Sequence, residues 1–204
     1  MDAGGGGGAD GVDRISALPD ELLAVILTHL RCTQAAARTS VLSRRWRRIW
    51  THLREIYLSD RSRPRVPTAA PSILGVVDAY AAPELDRLDI EVVNEWHVAV
   101  ARLAPCLRFS SERLAGELRL AIGHDERQDW SMVQREQELQ LPVCEKATVI
   151  HIRLSQLNLQ PSIPATGKFE ALRALSIACF DFTKLDVERV VSLQCPRLQK
   201  LALV

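Results

Sequence analysis

The chain has few of the residues on which catalytic and metal centres depend. No glycine-rich loop follows a predicted strand and no Gly-x-Ser-x-Gly elbow occurs, so phosphate-binding and serine-hydrolase motifs are missing. His29 and Cys32 form an isolated helical pair, and zinc needs about four ligands. The five cysteines have no paired spacing: Cys32, Cys106, Cys144, Cys179 and Cys195. We therefore expect a non-catalytic protein with reduced cysteines, no metal and no cofactor.

The chain also lacks long hydrophobic runs and an excess of one charge. Its formal net charge is +1 over 204 residues, which gives no global case for nucleic acid or for a membrane surface. The longest apolar runs, such as residues 22–27, are far too short to cross a bilayer. The Gly-rich start has no signal-peptide pattern, and Asp2 stands where myristoylation needs glycine. We expect a globular protein of the cytoplasm or the nucleus.

What the chain does have is a dense helical segment at residues 14–50. Pro19 suits the first position of a helix, and Asp20 and Glu21 follow in the first turn, where acidic residues favour the helix dipole. Apolar residues then recur at helical spacing and form one wide stripe. The members of this stripe are Leu22, Leu23, Ile26, Leu27 and Leu30. The pattern predicts a first helix that ends near residues 30–32.

Two shorter helices are predicted to follow. Thr33 can cap a helix that runs to Arg38, and Ser43 can cap a third helix. The apolar face of the third helix comprises Leu42, Trp46, Ile49, Trp50 and Leu53. A segment of this length cannot bury so much apolar surface by itself, so it either packs on the rest of the chain or docks on a partner.

These residues resemble an F-box. The likeness lies in LPDELL at residues 18–23, in Ile26 and Leu27, and in TSVLSRRW at residues 39–46, a form similar to the large plant branch of that family. The resemblance implies a three-helix unit that binds the Skp-type adaptor of a cullin-based ubiquitin ligase. It also implies the residues that face the adaptor, which are Leu18, Pro19, Leu22, Ile26, Leu27, Val41, Ser43 and Trp46.

Two other interpretations of this segment stay open. Its apolar stripes can simply be the core of the chain. The arginine cluster of the third helix can neutralise phosphates, as in a DNA-binding module, although the two tryptophans on that helix favour packing. The cluster comprises Arg44, Arg45, Arg47 and Arg48. Arginines outnumber acidic residues throughout residues 31–65, and this local charge can steer an acidic partner or merely aid solubility.

The second half of the chain repeats a Leu-x-x-Leu-x-Leu pattern. Copies begin at Leu85, Leu172 and Leu198, and weaker copies begin at Ala115 and Ala147. Helical patterns and turn-forming prolines fall between them, as in a leucine-rich repeat, in which each unit supplies one strand and a return segment. The half resembles the degenerate leucine-rich repeats that accompany the F-box in many plant proteins.

The predicted fold is α+β and has two structured parts. A disordered Gly-rich leader at residues 1–12 precedes the helical F-box domain at 13–58, and a proline-rich linker at 59–71 leads to a short α/β leucine-rich-repeat solenoid at 72–204. The charged stretch 123–140 is predicted to be an exposed excursion between repeats. Because a solenoid needs a polar cap and the sequence ends inside a predicted strand, we expect the array to be incomplete at its C-terminus.

The resemblance implies a substrate-recognition subunit that holds the adaptor with the F-box and a target protein with the repeats. Strand residues that alternate with the inward leucines are predicted to face the open side of the repeats. These candidate target-binding residues are Asp89, Glu91, Arg119, His151, Arg153 and Ser176. Two alternatives stay open: a leucine-rich scaffold outside any ligase, and the DNA-binding module.

Overall fold

The computed structural model describes residues 14–15, 17–59, 73–93, 99–123, 137–155, 159–183 and 185–204, with backbone alone at 73–74 and 99–102. The predicted leader and residues 60–71 of the predicted linker lie outside this description. Its helices are α1 (Asp20–His29), α2 (Thr33–Arg38), α3 (Arg44–Trp50), α4 (Ile73–Ala79), α5 (Ala99–Arg113) and α6 (Val187–Arg189). A 3-10 turn (Thr39–Val41) precedes α3, and a π-helical turn (Val190–Gln194) continues α6.

The first helix ends where the sequence predicted and buries only one side of its apolar stripe. Pro19 stands at the cap position of α1, one residue before the predicted place. Leu23 and Leu27 are buried, whereas Leu22 and Ile26 are exposed. The stripe is therefore divided between the core of the chain and its surface.

The second and third helices pack against α1. Cys32, and not Thr33, occupies the cap position of α2. Ser43 caps α3 as predicted, because its side chain accepts a hydrogen bond from the Trp46 N–H. The expected apolar face of α3 is buried except at its start, where Leu42 is exposed. Leu42 lies two residues before Arg44, the first residue of α3. It is therefore not part of the helix and does not share the buried face that the spacing predicted for it.

All strands of the main sheet are parallel. The strands of the molecule are β1 (Glu55–Ser59), β2 (Leu85–Val92), β3 (Leu114–Ile122), β4 (Gln137–Gln140), β5 (Val149–Leu154), β6 (Leu159–Ser162), β7 (Ala174–Ala178) and β8 (Lys200–Leu203). The main sheet has the order β1-β2-β3-β5-β7-β8, and β4 and β6 form a separate two-stranded sheet. The mixed α/β class is thus confirmed, while the solenoid stays a prediction.

The leucine pattern places each predicted copy in register with the next. The middle position of the motif forms one continuous row across the sheet, which contains Leu88, Leu118, Ile150, Leu175 and Leu201. The last position forms a second row, which contains Ile90, Leu120, Ile152, Ile177 and Leu203. These rows are buried except on β8, the last strand of the sheet, whose four residues are all exposed. The repeat therefore builds the core layer directly.

The structure corrects three details of the repeat prediction. A sixth copy begins at Leu53 and supplies β1, which pairs with β2. Ala115 does not begin the weaker copy: an irregularity in the register places Leu114 there, and Leu114 is the buried residue. The described part of the predicted exposed excursion also contains β4, in which Leu139 is fully buried. Strand β1 thus belongs to the sheet although it lies at the end of the predicted helical domain (13–58), and the predicted bounds of the domains stay a prediction.

Other predicted absences can be compared only with the described residues. No described helix is long and apolar enough to span a bilayer. His29 and Cys32 make hydrogen bonds to Val25 and Gln34 respectively, and the described residues contain no group of three metal-binding side chains. Cys106 and Cys144 are buried, and burial raises the pKa of each thiol to about 11.

Candidate protein-binding surfaces

The helical domain leaves a set of large apolar side chains uncovered. On α1 they recur at steps of three and four residues, which places them along one side of the helix. Two more lie in and just after the 3-10 turn. We call these residues the exposed apolar set: Leu22, Val25, Ile26, Leu30, Val41 and Leu42. A monomeric surface rarely holds so many large apolar groups in so short a segment without a binding role.

The structure divides the predicted adaptor-facing residues into two groups. Leu22, Ile26 and Val41 are 50%, 43% and 86% exposed. Pro19 and Ser43 are also exposed, and Leu18 is partly buried. Leu27 and Trp46 are only 2% and 7% exposed and belong to the core. They do not lie on the surface of the free chain, because the same helices need them for internal packing.

Val25, Leu30 and Leu42 belong to the exposed apolar set but were not among the predicted contacts. The helical spacing alone could have found Val25 and Leu30, since both lie beside Leu22 and Ile26 on α1. Leu42 could not be found in this way, because its exposure depends on where α3 begins.

Ion pairs and hydrogen bonds fix the frame that carries this set. Asp20 accepts from Arg45 at 2.5 Å and from Arg48 at 3.1 Å, and Arg45 also donates to the carbonyl oxygen of Leu18. The Arg45 hydrogen bond, with the smaller contribution of Arg48, holds the pKa of Asp20 below its usual value. The start of α1 is thereby attached to α3.

The turn that carries Val41 is attached in the same manner. The indole N–H of Trp50 donates to the Ser40 hydroxyl at 2.7 Å, and Trp50 itself is buried. Both parts of the exposed apolar set therefore stand on a fixed base, which reduces the entropy lost when a partner covers them.

A second surface is the polar face of the main sheet, opposite the buried leucine rows. Asp89, Arg119, His151 and Ser176 form one row across β2, β3, β5 and β7. Glu91 and Arg153 lie in the neighbouring row, joined through Ala121. None of the six is buried. The structure thus brings all six predicted residues to one face, and whether they bind a target stays a prediction.

The sheet face has further members that the sequence analysis missed. Tyr57 on β1 continues the row of Asp89, and Glu55, Arg87 and Glu117 form a third row across β1, β2 and β3. Arg87 and Glu117 alternate with predicted residues on recognised strands, so the period of two could have found them. Tyr57 and Glu55 were missed because the sequence analysis did not recognise the copy of the repeat that forms β1.

Most charges of the sheet face are paired inside it. Glu117 lies 2.5 Å from Arg119, 3.5 Å from Arg87 and 3.7 Å from His151. Asp89 makes no ion pair within the described part of the chain. Burial raises the pKa of the Asp89 carboxyl, and the nearby charges of Arg87, Arg119 and Arg31 only partly oppose this effect.

The helical domain covers the outer edge of the sheet. The hydroxyl of Thr33 accepts the Tyr57 N–H at 2.9 Å, and the Gln34 side-chain amide donates to the Ser59 carbonyl oxygen at 3.3 Å. Both bonds satisfy groups of β1 that do not pair with β2. Helix α2 therefore occupies the place that a preceding strand would fill, and it joins the two candidate surfaces through one structure.

Comparison with known proteins adds the family. Residues 15–57 match the F-box domain. F-box/LRR-repeat protein 13 of Arabidopsis thaliana is 54% identical over a match that covers 96% of this chain and 42% of that protein. An Arabidopsis F-box/FBD/LRR-repeat protein is 27% identical over 93% of this chain and 43% of its own length.

Another Arabidopsis F-box/LRR-repeat protein is 44% identical over 73 residues, which are 36% of this chain and 14% of that protein. No solved structure matches the chain at a significant level. The chain spans less than half the length of each of these relatives. Its helical domain and its repeat pattern agree with the names of these relatives: the chain contains an F-box domain and is similar to F-box proteins with leucine-rich repeats.

Proposed function

We propose that the chain is the substrate-recognition subunit of a cullin-based ubiquitin ligase. Its F-box binds a Skp-type adaptor, and the polar face of its sheet binds a target protein. The chain performs no chemistry of its own in this role. It raises the effective concentration of target lysines near a ubiquitin-conjugating enzyme that other subunits recruit.

The observation that carries this proposal is the exposed apolar set on a domain that matches the F-box family. Covering apolar surface contributes about 25 cal/mol per Å². A central anchor such as Ile26 is therefore worth about 2 kcal/mol or more in a tight interface. The same helices already bury Leu23, Leu27 and Trp46, so the uncovered residues are available without disturbing the core.

The arginines of α3 fit this role better than DNA binding. Arg45 and Arg48 are bonded to Asp20, and both tryptophans of α3 are buried. Only Arg44 and Arg47 of the four remain exposed without an ion pair in the described structure. Two free arginines give a weak phosphate-binding surface, because affinity for DNA rises with the number of phosphates neutralised.

Coexpression of the full chain with a Skp-type adaptor, followed by gel filtration, tests the proposal. We expect a stable one-to-one complex that Ile26→Asp abolishes, because a charged group at a desolvated contact has no partner. Leu193→Asp is the matched control: Leu193 is 69% exposed in the second half of the chain, and its change should leave the complex intact. Trp46 is unsuitable, since truncating a buried tryptophan would disturb the fold.

The proposal is refuted if the wild-type chain forms no complex, or if the complex survives Ile26→Asp. The circular dichroism spectrum of the Ile26→Asp chain must match that of the wild type. Loss of the complex can then be attributed to the lost contact and not to unfolding. Target capture by a purified chain without cullin would then favour the scaffold alternative.

A further inference from the structure

The turn between α1 and α2 contains an unusual backbone. Arg31 has a φ of 46°, and it is the only residue other than glycine with a positive φ in the described structure. A helix that ends in this left-handed conformation usually has glycine or asparagine there, because a Cβ atom is unfavourable. The chain therefore carries a long cationic side chain at a position where glycine would be easier to accommodate.

The side chain of Arg31 reaches the polar face of the sheet. Its guanidinium lies 4.9 Å from the centre of the Tyr57 ring, and the guanidinium of Arg87 lies 5.9 Å from the same ring. The bond from the Tyr57 N–H to Thr33 holds the Tyr57 backbone beside this turn, and the Tyr57 hydroxyl donates to Glu55 at the far end of the ring. Arg31 is thus held over β1 by a cation–π contact, in a position set by the fold.

The hydrogen-bonding groups of Arg31 are unused. Arg31 is exposed, and within the described part of the chain no carboxylate or carbonyl oxygen accepts from it. The cation–π contact with Tyr57 engages no N–H donor of Arg31 in a hydrogen bond to a described residue, and a guanidinium has the fork geometry that matches a carboxylate or a phosphate. An arginine held in place loses less entropy when it binds an anion than a mobile one does.

The accessible charge around Arg31 favours an anionic ligand. Three acidic groups of the face are engaged: Glu117 lies among three basic side chains, Glu55 accepts from the Tyr57 hydroxyl, and Glu91 accepts from the Ser59 hydroxyl. Asp89 is half-buried, and the charge of Arg31 joins those of Arg87 and Arg119 in lowering its pKa against the effect of burial. Arg153 lies exposed on the same face, and no ion pair or hydrogen bond engages it in the described structure. The face therefore offers unpaired positive charge on its surface.

We propose that Arg31 is a specificity-determining residue of the target-binding face, where it binds an anionic group on a target segment that lies across the sheet. The group is the carboxylate of an acidic side chain. This inference rests on the proposed function, and it adds that the F-box part of the chain takes part in selecting the target.

Selection of short randomised peptides on the full chain, followed by anisotropy measurements, tests this inference. We expect peptides enriched in Asp and Glu, and the enrichment should disappear when Arg31→Gly is used. For the best peptide, Arg31→Gly should weaken binding at least about tenfold, the size of a charge-assisted hydrogen bond. The same change should have no effect on a peptide whose acidic residue is replaced by its amide. A phosphoserine version of the peptide distinguishes the phosphate from the carboxylate.

Two controls separate recognition from folding. Glycine adopts a φ of 46° without strain, so Arg31→Gly should leave the thermal midpoint unchanged or higher. Arg47→Ala removes an exposed arginine of α3 and should not alter peptide affinity. Enrichment of basic peptides, the absence of any selected peptide, or equal affinity of the Arg31→Gly chain would overturn the inference.

Gel filtration with the adaptor distinguishes this inference from the proposed function. If the adaptor complex forms and the peptide affinity does not depend on Arg31, the inference alone fails. If the peptide result holds and no adaptor complex forms, the proposed function fails and the anion site remains.

Discussion

The hydroxyl of Thr33 offers the most direct test of how the F-box is attached to the sheet. Thr33 is 2% exposed, and its oxygen accepts the Tyr57 N–H at 2.9 Å. Thr33→Val keeps the shape of the side chain and removes the acceptor. The Tyr57 N–H would then be left without a partner at a protected edge, which costs about 1–3 kcal/mol. The bond from Gln34 to the Ser59 carbonyl oxygen would remain and would keep α2 near the strand.

Urea denaturation and native-state hydrogen exchange measure this cost. We expect the free energy of unfolding to fall by about 1–3 kcal/mol and the Tyr57 amide to lose protection by at least about tenfold relative to the buried strands, since 1.4 kcal/mol is a factor of ten. Thr33→Ser keeps the acceptor and serves as the control. It should lower overall stability through the lost methyl group but should not expose the Tyr57 amide selectively. Wild-type protection of Tyr57 in the Thr33→Val chain would refute the assigned role of Thr33.

Two further predictions concern the fold. A Cβ atom at Gly116 would lie 2.0 Å from the backbone oxygen of Asp86, so Gly116→Ala should destabilise the chain by about 1–3 kcal/mol or more in urea, whereas Gly123→Ala meets nothing closer than 4.0 Å and should be nearly neutral. Because the folded pKa of Asp20 is lowered, its contribution to stability is present above its unfolded pKa of about 4 and is lost as the pH falls through the folded value. The thermal midpoint of Asp20→Asn should therefore lie below that of the wild type at pH 7 and approach it once the pH falls below the lowered folded pKa, and a difference that persists there would contradict the assigned ion pairs.

The strands of the second half could be predicted because one short pattern specifies both the strand and its buried side. In each copy the middle and last apolar residues are two apart, which is the period of a strand, and they point to the same face. The five predicted copies consequently fall in register, as the pairing of Leu88 with Leu118 illustrates. The same period defines the opposite face, so the amino-acid pattern alone was enough to place Asp89 and Arg119 on one side of the sheet.

The copy that supplies β1 was missed because Leu53 fits two patterns. It lies three residues after Trp50 and thus continues the apolar face of α3, while it also begins the motif that Ile56 and Leu58 complete. Local spacing does not choose between these alternatives. The choice is made by the pairing of β1 with β2 and by the cover that α2 provides, which are contacts between distant parts of the chain.

The divided stripe of α1 was unpredictable for a similar reason. Leu22 and Leu23 have the same chemistry and adjacent positions, and the sequence does not say which of them is buried. The distinction decides which residues can reach a partner, because it makes Leu27 part of the core and leaves Ile26 outside. The resemblance to the F-box assigned both Ile26 and Leu27 to the adaptor-facing surface, whereas their burial in the structure separates them.

The cover of β1 by α2 has a consequence for the proposed receptor. A subunit that works by proximity must hold its target at a suitable distance and direction from the adaptor, since effective concentration collapses when the geometry does not allow both contacts. Here the exposed apolar set and the sheet face are connected by Thr33, Gln34 and the Arg31–Tyr57 contact. These bonds make the orientation of the target face a property of the fold. Weakening them by Thr33→Val should therefore reduce ubiquitin transfer to a bound target more than it reduces the affinity of either surface for its partner.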